Sequence, residues 1–363
     1  MRPKQQNRRL PVNREKTKTL LVGGVAIGGS APISVQSMCN TKTEDIDATL
    51  AQIAALTAAG CDIVRLAVPN EIAARALPEI RRGCKTPLVA DIHFDYRLAI
   101  AAVEAGFDKI RINPGNIGSP ARVKMVADAC RSAGVPIRIG VNSGSLEKEL
   151  MDEFGPTPRA LCESALRHVR LLNDANFDDI CISIKSSNVA ETVTAYREMS
   201  EITDYPLHLG VTETGTEYMG IIKSSLGIGS LLLDGIGSTI RVSLTADPLA
   251  EVRAGIAILK AAGLRREGVN VIACPTCGRT NIDLIGTATR VEALLQNCKT
   301  PLTVAVMGCV VNGPGEAKHA DYGLAGGMGE GVLFKKGEVV CKVPEDELAS
   351  ALVAMIEQDN KGE

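Results

Sequence analysis

The sequence has no run of about 18 apolar residues, no apolar segment behind its basic N-terminus, little net charge and few aromatic residues. The first absence excludes a membrane-spanning helix, and the second a secretory leader. A formal charge of −2 over 363 residues creates no global field for nucleic acid or acidic membranes. Any anion site must therefore come from local clustering of cations. Aromatic residues make up 3% of the chain, and none interleaves the charges of Met1 to Lys18, so that stretch reads as a solvated tail and not as a nucleic-acid arm. Eleven cysteines, an odd number without a regular disulfide framework, point to a reducing compartment, the cytoplasm, with metal-binding or buried-thiol roles.

What is present is the composition of a globular protein, 45% hydrophobic and 23% charged, in a chain long enough for two domains. Short aliphatic runs alternate with Ala-rich helical stretches. The runs are Ile33-Ser-Val-Gln-Ser, Asp62-Ile-Val-Arg-Leu-Ala-Val, Leu88-Val-Ala-Asp-Ile-His, Lys109-Ile-Arg-Ile-Asn, Pro136-Ile-Arg-Ile-Gly-Val-Asn, Ile180-Cys-Ile-Ser-Ile-Lys, Leu207-His-Leu-Gly-Val-Thr-Glu and Ser238-Thr-Ile-Arg-Val-Ser. Stretches such as Glu44 to Ala59, Arg97 to Ala105 and Ala121 to Ala133 carry helical apolar spacing. Eight such units specify a (β/α)8 TIM-type barrel over residues 1–263. The Gly23-Gly24 turn between Leu20 and Ile27 predicts a hairpin plugging the barrel's N-terminal end. Residues 264–363 read as a small α+β domain, with strands Val269 to Ala273, Leu302 to Met307, Gly331 to Phe334 and Glu338 to Val343 and helices Ile282 to Gln296 and Glu345 to Gln358. The glycine run Gly326 to Gly331 reads as a hairpin connection, since no helix with Lys-Ser/Thr follows it to make a phosphate loop.

Parallel strands covered on both faces should be nearly continuous aliphatic runs, yet Arg65, Arg111, Arg138, Lys185 and Arg241 interrupt or end them. His93, Asn113, Asn142, Glu213 and Ser243 lie at or near strand C-terminal ends. An unpaired buried cation costs several kcal/mol, so these five must converge on an anion or on water. The C-terminal mouth of a barrel is where such folds place chemistry. Salt bridges in the wall are the plainer explanation, but the strands hold few carboxylates. Guanidinium forks suit a ligand with two phosphoryl groups. Next to bound anions, the pKa of Glu213 should rise, which fits a proton donor, or Glu213 orients Lys185 or Arg241. His93 is a proton donor, a phosphate contact or a structural residue.

Cys274 and Cys277 form a CxxC pair, 31 residues separate Cys277 from Cys309, and six more separate Cys309 from Glu316. The Gly313-Pro314-Gly315 turn can fold Glu316 toward Cys309. Three thiolates and a carboxylate suit a four-iron cluster, which tolerates a replaceable fourth ligand; zinc on the same set and a thioredoxin-type dithiol are the alternatives.

The motifs Pro32-Ile-Ser-Val-Gln-Ser-Met, Ala90-Asp-Ile-His-Phe-Asp, Ile110-Arg-Ile-Asn-Pro-Gly-Asn, Arg138-Ile-Gly-Val-Asn-Ser-Gly-Ser-Leu, Val211-Thr-Glu, Thr239-Ile-Arg-Val-Ser and the two cysteine segments resemble those of the hydroxymethylbutenyl diphosphate synthases (IspG/GcpE) of the methylerythritol phosphate route to isoprenoids. The resemblance covers nearly the whole chain; Ser238 departs from the Asp often found in the family's Gly-Asp-Thr turn. It implies two-electron reductive ring opening and dehydroxylation of methylerythritol cyclodiphosphate, with one [4Fe-4S] cluster in a sulfite/nitrite-reductase-like second domain. By similarity, Arg65, His93, Arg111, Asn113, Arg138, Asn142, Lys185, Arg241 and Ser243 bind the cyclic diphosphate. Glu213, Glu316 and His93 are the catalytic candidates, and Cys274, Cys277, Cys309 and Glu316 ligate iron. Flavodoxin or ferredoxin is the implied electron donor, and a homodimer whose cluster domain caps the partner barrel is the implied assembly. A Schiff-base aldolase using Lys185 and a non-catalytic iron-sulfur or zinc protein are the other readings.

Overall fold

A computed structural model describes residues 13–296, 298–309 and 317–361. The chain divides into two compact units after Leu264.

In the first unit, a hairpin of β1 (Leu20–Val22) and β2 (Val25–Ile27) precedes eight parallel strands. These are β3 (Ser34–Met38), β4 (Ile63–Ala67), β5 (Leu88–Asp91), β6 (Lys109–Ile112), β7 (Ile137–Asn142), β8 (Ile180–Lys185), β9 (His208–Leu209) and β10 (Thr239–Ile240). Each strand pairs with its neighbours in chain order, β10 returns to β3, and one parallel bridge between Ile182 and Leu207 joins β8 to β9. The result is a nearly closed barrel. β9 and β10 are much shorter than the runs Leu207 to Glu213 and Ser238 to Ser243 suggested, because the chain leaves ladder pairing as it turns into the loops of the mouth.

Leu20, Val22 and Ile27 of the hairpin pack on Ile63, Val89 and Cys181, inward residues near the starts of β4, β5 and β8. This apolar cluster floors the barrel. The helices are held by local signals: Asn70 accepts the Ala73 N–H at 2.9 Å, and Asp247 accepts the Leu249 N–H at 2.8 Å. Helix Pro248–Ala261 buries Pro248, Glu251, Val252, Gly255, Ile258 and Leu259, a stripe at helical spacing that includes one acid.

The second unit is a five-stranded mixed sheet: β11 (Val269–Ala273), β12 (Leu302–Met307), β13 (Tyr322–Gly326), β14 (Glu330–Lys335) and β15 (Glu338–Pro344). β13 was not expected from the sequence. Its Tyr-Gly-Leu-Ala-Gly run is short and glycine-rich, but it fits between β12 and β14 because Gly323 leaves room for the Phe334 ring. The glycine run beginning at Gly326 connects antiparallel β13 and β14. Helices Leu284–Leu295 and Leu348–Lys361 contribute Val291, Leu295, Leu352 and Ile356 to this unit's core.

Candidate active site

Inward positions recur every second residue along a strand. That rule places Arg65, Asp91, Arg111, Arg138 and Lys185 inside the barrel, and all five are at most 9% exposed. Mutual electrostatics show that the cations share one space. Burial pushes the Lys185 ammonium far down, and Arg241, Arg65, Arg138 and Arg111 push it further. Burial likewise lowers Arg65, and Arg241, Arg138 and Arg111 add to the effect. The structure thus brings together the five cations singled out from the strands.

Their partners are where sequence reasoning fell short. Asp91 accepts from Arg111 Nη1 at 3.0 Å and lies 3.9 Å from Arg65 Nε and 3.6 Å from His93 Nε2. Burial alone would raise its pKa, but Arg65, the nearby His93 and Arg111 outweigh it and hold the carboxyl well below the usual range. Arg241 donates to Glu251 of helix Pro248–Ala261 at 3.2 Å. The Glu251 carboxylate also accepts from Ser37 Oγ and the Leu244 N–H, each at 3.0 Å. Wall pairing therefore explains Arg241 and much of Arg65 and Arg111. It leaves Lys185 and Arg138 without a carboxylate bridge among the described residues. A charged residue on the apolar stripe of its helix was the available signal for Glu251. Asp91 stood within a quoted motif.

Two glycines make this crowding possible. A Cβ on Gly140 would lie 2.4 Å from Arg111 Nε, and one on Gly210 would lie 2.8 Å from Lys185 Nζ. Each side chain lies over bare backbone of the neighbouring strand or its immediate end.

The neutral candidates are also at the strand ends. Buried Asn113 spends its carbonyl oxygen on the Gly115 N–H at 3.1 Å, as the cap of helix Pro114–Ile117. Asn142 ends β7, and Ser243, half-buried, accepts from the Thr214 hydroxyl through its backbone carbonyl. His93 is exposed. Glu213 is exposed in the loop after β9 with φ 53°, in the left-handed region. No ion pair between Glu213 and either Lys185 or Arg241 occurs among the described residues, and Arg241 has Glu251 instead.

In the second unit, Cys274 directly follows β11, and Cys309 comes two residues after β12. These strands are parallel and paired, Ala273 opposite Val306, so both cysteines emerge at the same sheet end. The Gly308 N–H donates to Cys274 Sγ at 3.2 Å, the kind of contact that supports a metal-bound thiolate. Cys277 is exposed, and hydrogen bonding from the Arg279 backbone and side chain lowers its thiol pKa. Thiolates are soft donors of the kind a thiophilic metal takes. No group of three or more His, Cys, Asp or Glu is gathered closely enough to hold a metal ion among the described residues, and Glu316 lies outside them.

Comparison with known proteins settles the lineage. Residues 17–256 match the model of the GcpE TIM-barrel domain, and residues 270–358 match that of the GcpE protein C-terminal domain. The chain belongs to the GcpE family. Its relatives include proteins named 4-hydroxy-3-methylbut-2-en-1-yl diphosphate synthase (flavodoxin). The one from Geobacter sulfurreducens is 58% identical over 95% of this chain and 98% of the relative, and the one from Symbiobacterium thermophilum is 57% identical over 96% and 94%. Among solved structures, a dihydropteroate synthase from Stenotrophomonas maltophilia superposes with a TM-score of 0.50 at 17% identity, covering 68% of this chain and 98% of that one. That likeness shows the barrel fold alone. No helix among the described residues is long and apolar enough to cross a membrane.

Proposed function

We propose that this GcpE-family chain is a 4-hydroxy-3-methylbut-2-en-1-yl diphosphate synthase. It reduces 2-C-methyl-D-erythritol 2,4-cyclodiphosphate to (E)-4-hydroxy-3-methylbut-2-enyl diphosphate in non-mevalonate isoprenoid biosynthesis. The carrying observation is the convergence of Arg65, Arg111, Arg138, Lys185 and Arg241 on one mouth with, among the described residues, only two carboxylates, Asp91 and Glu251, bridging them. Such a mouth is short of negative charge, and a diphosphate supplies it. Arg65 and Arg111, braced by Asp91, and Arg241, braced by Glu251, present fixed guanidinium groups, whereas Arg138 and Lys185 keep donors free for phosphoryl oxygens. Asn113, through its amide nitrogen, and Asn142 and Ser243 add neutral contacts at the rim. His93, next to Asp91, contacts a phosphate or moves a proton, and Glu213 serves as the acid for the departing oxygen.

Cys274, Cys277 and Cys309, with Glu316, would hold a [4Fe-4S] cluster. When bound, that cluster supplies the electrons, one at a time, to the substrate. Flavodoxin is the donor that the relatives' names favour over ferredoxin. The inferred assembly is a homodimer in which the second unit of one protomer serves the barrel of its partner. The compartment is the cytoplasm, consistent with eleven free cysteines. A Schiff-base aldolase is not favoured. The depressed Lys185 ammonium could suggest an amine nucleophile, but the same guanidinium groups that depress it would be neutralised by a bound diphosphate.

The deciding experiment is anaerobic purification with iron and sulfide analysis, followed by turnover of the cyclodiphosphate with reduced flavodoxin. About four irons and four sulfides per chain and formation of the diphosphate product are expected. One zinc, no iron and no turnover would overturn the reading. Mixing an Arg138→Ala chain with a Cys309→Ser chain should restore part of the activity in mixed dimers; no recovery, with mixed dimers shown to form, would remove the shared site.

A further inference from the structure

Arg65 is held differently from Arg111 and Arg241. Its carboxylate neighbour Asp91 stays 3.9 Å from Nε, beyond hydrogen-bond reach, and gives its other oxygen to Arg111 at 3.0 Å. Arg241, by contrast, donates directly to Glu251. Among the described residues, the acceptor that the Arg65 guanidinium does meet is a thioether. Its Nε and Nη2 donate to Met38 Sδ at 3.1 and 2.9 Å.

The contact follows from the barrel. β3 and β4 run parallel with Met38 opposite Arg65, and the Cys39 N–H donates to the Arg65 carbonyl at 3.0 Å just beyond that pair. Opposed residues of neighbouring strands point to the same face. β3 also lies between β4 and β10, so half-buried Met38 stands between the strand that carries Arg65 and the one that runs on into Arg241. Arg241, Arg138 and Arg111 all act on the Arg65 charge. Their repulsion favours any rotamer that takes this long side chain away from them, and an acceptor on β3 opposes that.

The sulfur meets the side-on fork of the guanidinium, the edge formed by Nε and Nη2. A thioether is a weak, neutral and polarisable acceptor. It fixes the plane of the guanidinium without cancelling the charge, as a carboxylate at the same place would. An aliphatic side chain of similar size would leave the side-on fork bare. The end-on fork, Nη1 with the outer N–H of Nη2, is not engaged by the sulfur, and no protein group among the described residues accepts from Nη1. Such a fork matches two oxygens of one phosphoryl group.

We propose that Met38 is a positioning residue for diphosphate binding: its sulfur holds the side-on fork of Arg65 so that the end-on fork is presented to a phosphoryl group. The inference rests on the reading of the mouth as a diphosphate site. A guanidinium already held in its bound orientation loses less freedom when the ligand arrives.

The test is calorimetric titration of the full, anaerobically prepared chain with pyrophosphate and with the cyclodiphosphate. Met38→Leu nearly keeps the volume and removes the acceptor, and Met38→Gln restores an acceptor on an unbranched side chain. Kd should rise about three- to tenfold in Met38→Leu and return to within about twofold of wild type in Met38→Gln, the scale of one modest hydrogen bond. In an Arg65→Leu background, Met38→Leu should add nothing, because it acts through the guanidinium. Unchanged affinity in Met38→Leu, or an equal loss in Met38→Gln, would overturn the assignment. A loss that persists without Arg65, or that tracks a fall in Tm, would make Met38 a packing residue and overturn it as well. Wild-type protein that binds neither ligand would sink the diphosphate reading and the inference with it, whereas wild-type binding with an unaffected Met38→Leu removes Met38 alone.

Discussion

Arg241 Nη2 lies 3.2 Å from both carboxylate oxygens of Glu251. A helix-borne acid thereby anchors a strand-end cation at the mouth. Its two further hydrogen bonds, from Ser37 and Leu244, fix the acid itself.

Glu251→Gln should leave that guanidinium without its counter-charge. Losing one partner of a buried pair costs on the order of 3–5 kcal/mol, and Tm should fall accordingly, with part of the loss recovered when pyrophosphate is added. A variant as stable as the wild type, with or without pyrophosphate, would show that Arg241 does not depend on Glu251.

Asp91 sets an acid limit on stability. Its folded pKa is depressed, so its contribution is complete above the unfolded value of about 3.9 and shrinks progressively as pH falls below it. Asp91→Asn should lower Tm at pH 7, and the gap between wild type and variant should narrow as pH drops from about 4. Denaturation curves across pH 2.5–7 measure it; a gap independent of pH would contradict the assigned charge pairing.

Gly140 should resist the smallest enlargement. The Cβ of Gly140→Ala would come 2.4 Å from Arg111 Nε, so the guanidinium must shift from Asp91 and from the mouth. KM for the cyclodiphosphate should rise roughly tenfold or more, about the effect of one lost charge-assisted contact. Steady-state kinetics that match the wild type would show Arg111 to be dispensable or free to move.

The cysteines should sort into two sets. Cys274→Ser, Cys277→Ser and Cys309→Ser are each expected to lower iron content well below four per chain, whereas Cys341→Ser, an exposed residue of β15, should leave it unchanged. Iron and sulfide assays on anaerobically prepared proteins measure this. Equal iron in all four variants would remove the CxxC pair and Cys309 from the ligand set.

The barrel was legible because eight aliphatic runs alternate with helical stretches, a local periodicity that survives in any single sequence. The five cations were visible because a charge inside a parallel strand contradicts its surroundings, and the CxxC and Gly-Cys-Val-Val-Asn-Gly-Pro-Gly-Glu segments stood out by their spacing. β13 was not visible, since Tyr322–Gly326 owes its strand conformation to the edges of β12 and β14.

What the sequence determined by itself was therefore the fold class, the family and the identity of the charged residues. Only the tertiary structure decided which charges are paired. Arg241 finds Glu251 ten residues away across a turn into a helix, and Arg111 finds Asp91 on the neighbouring strand. Lys109 and Arg138 find no carboxylate bridge among the described residues. Ion pairing depends on distance and burial, which local patterns do not encode, so the deficit of negative charge inside the barrel appears only when the strands are closed around it.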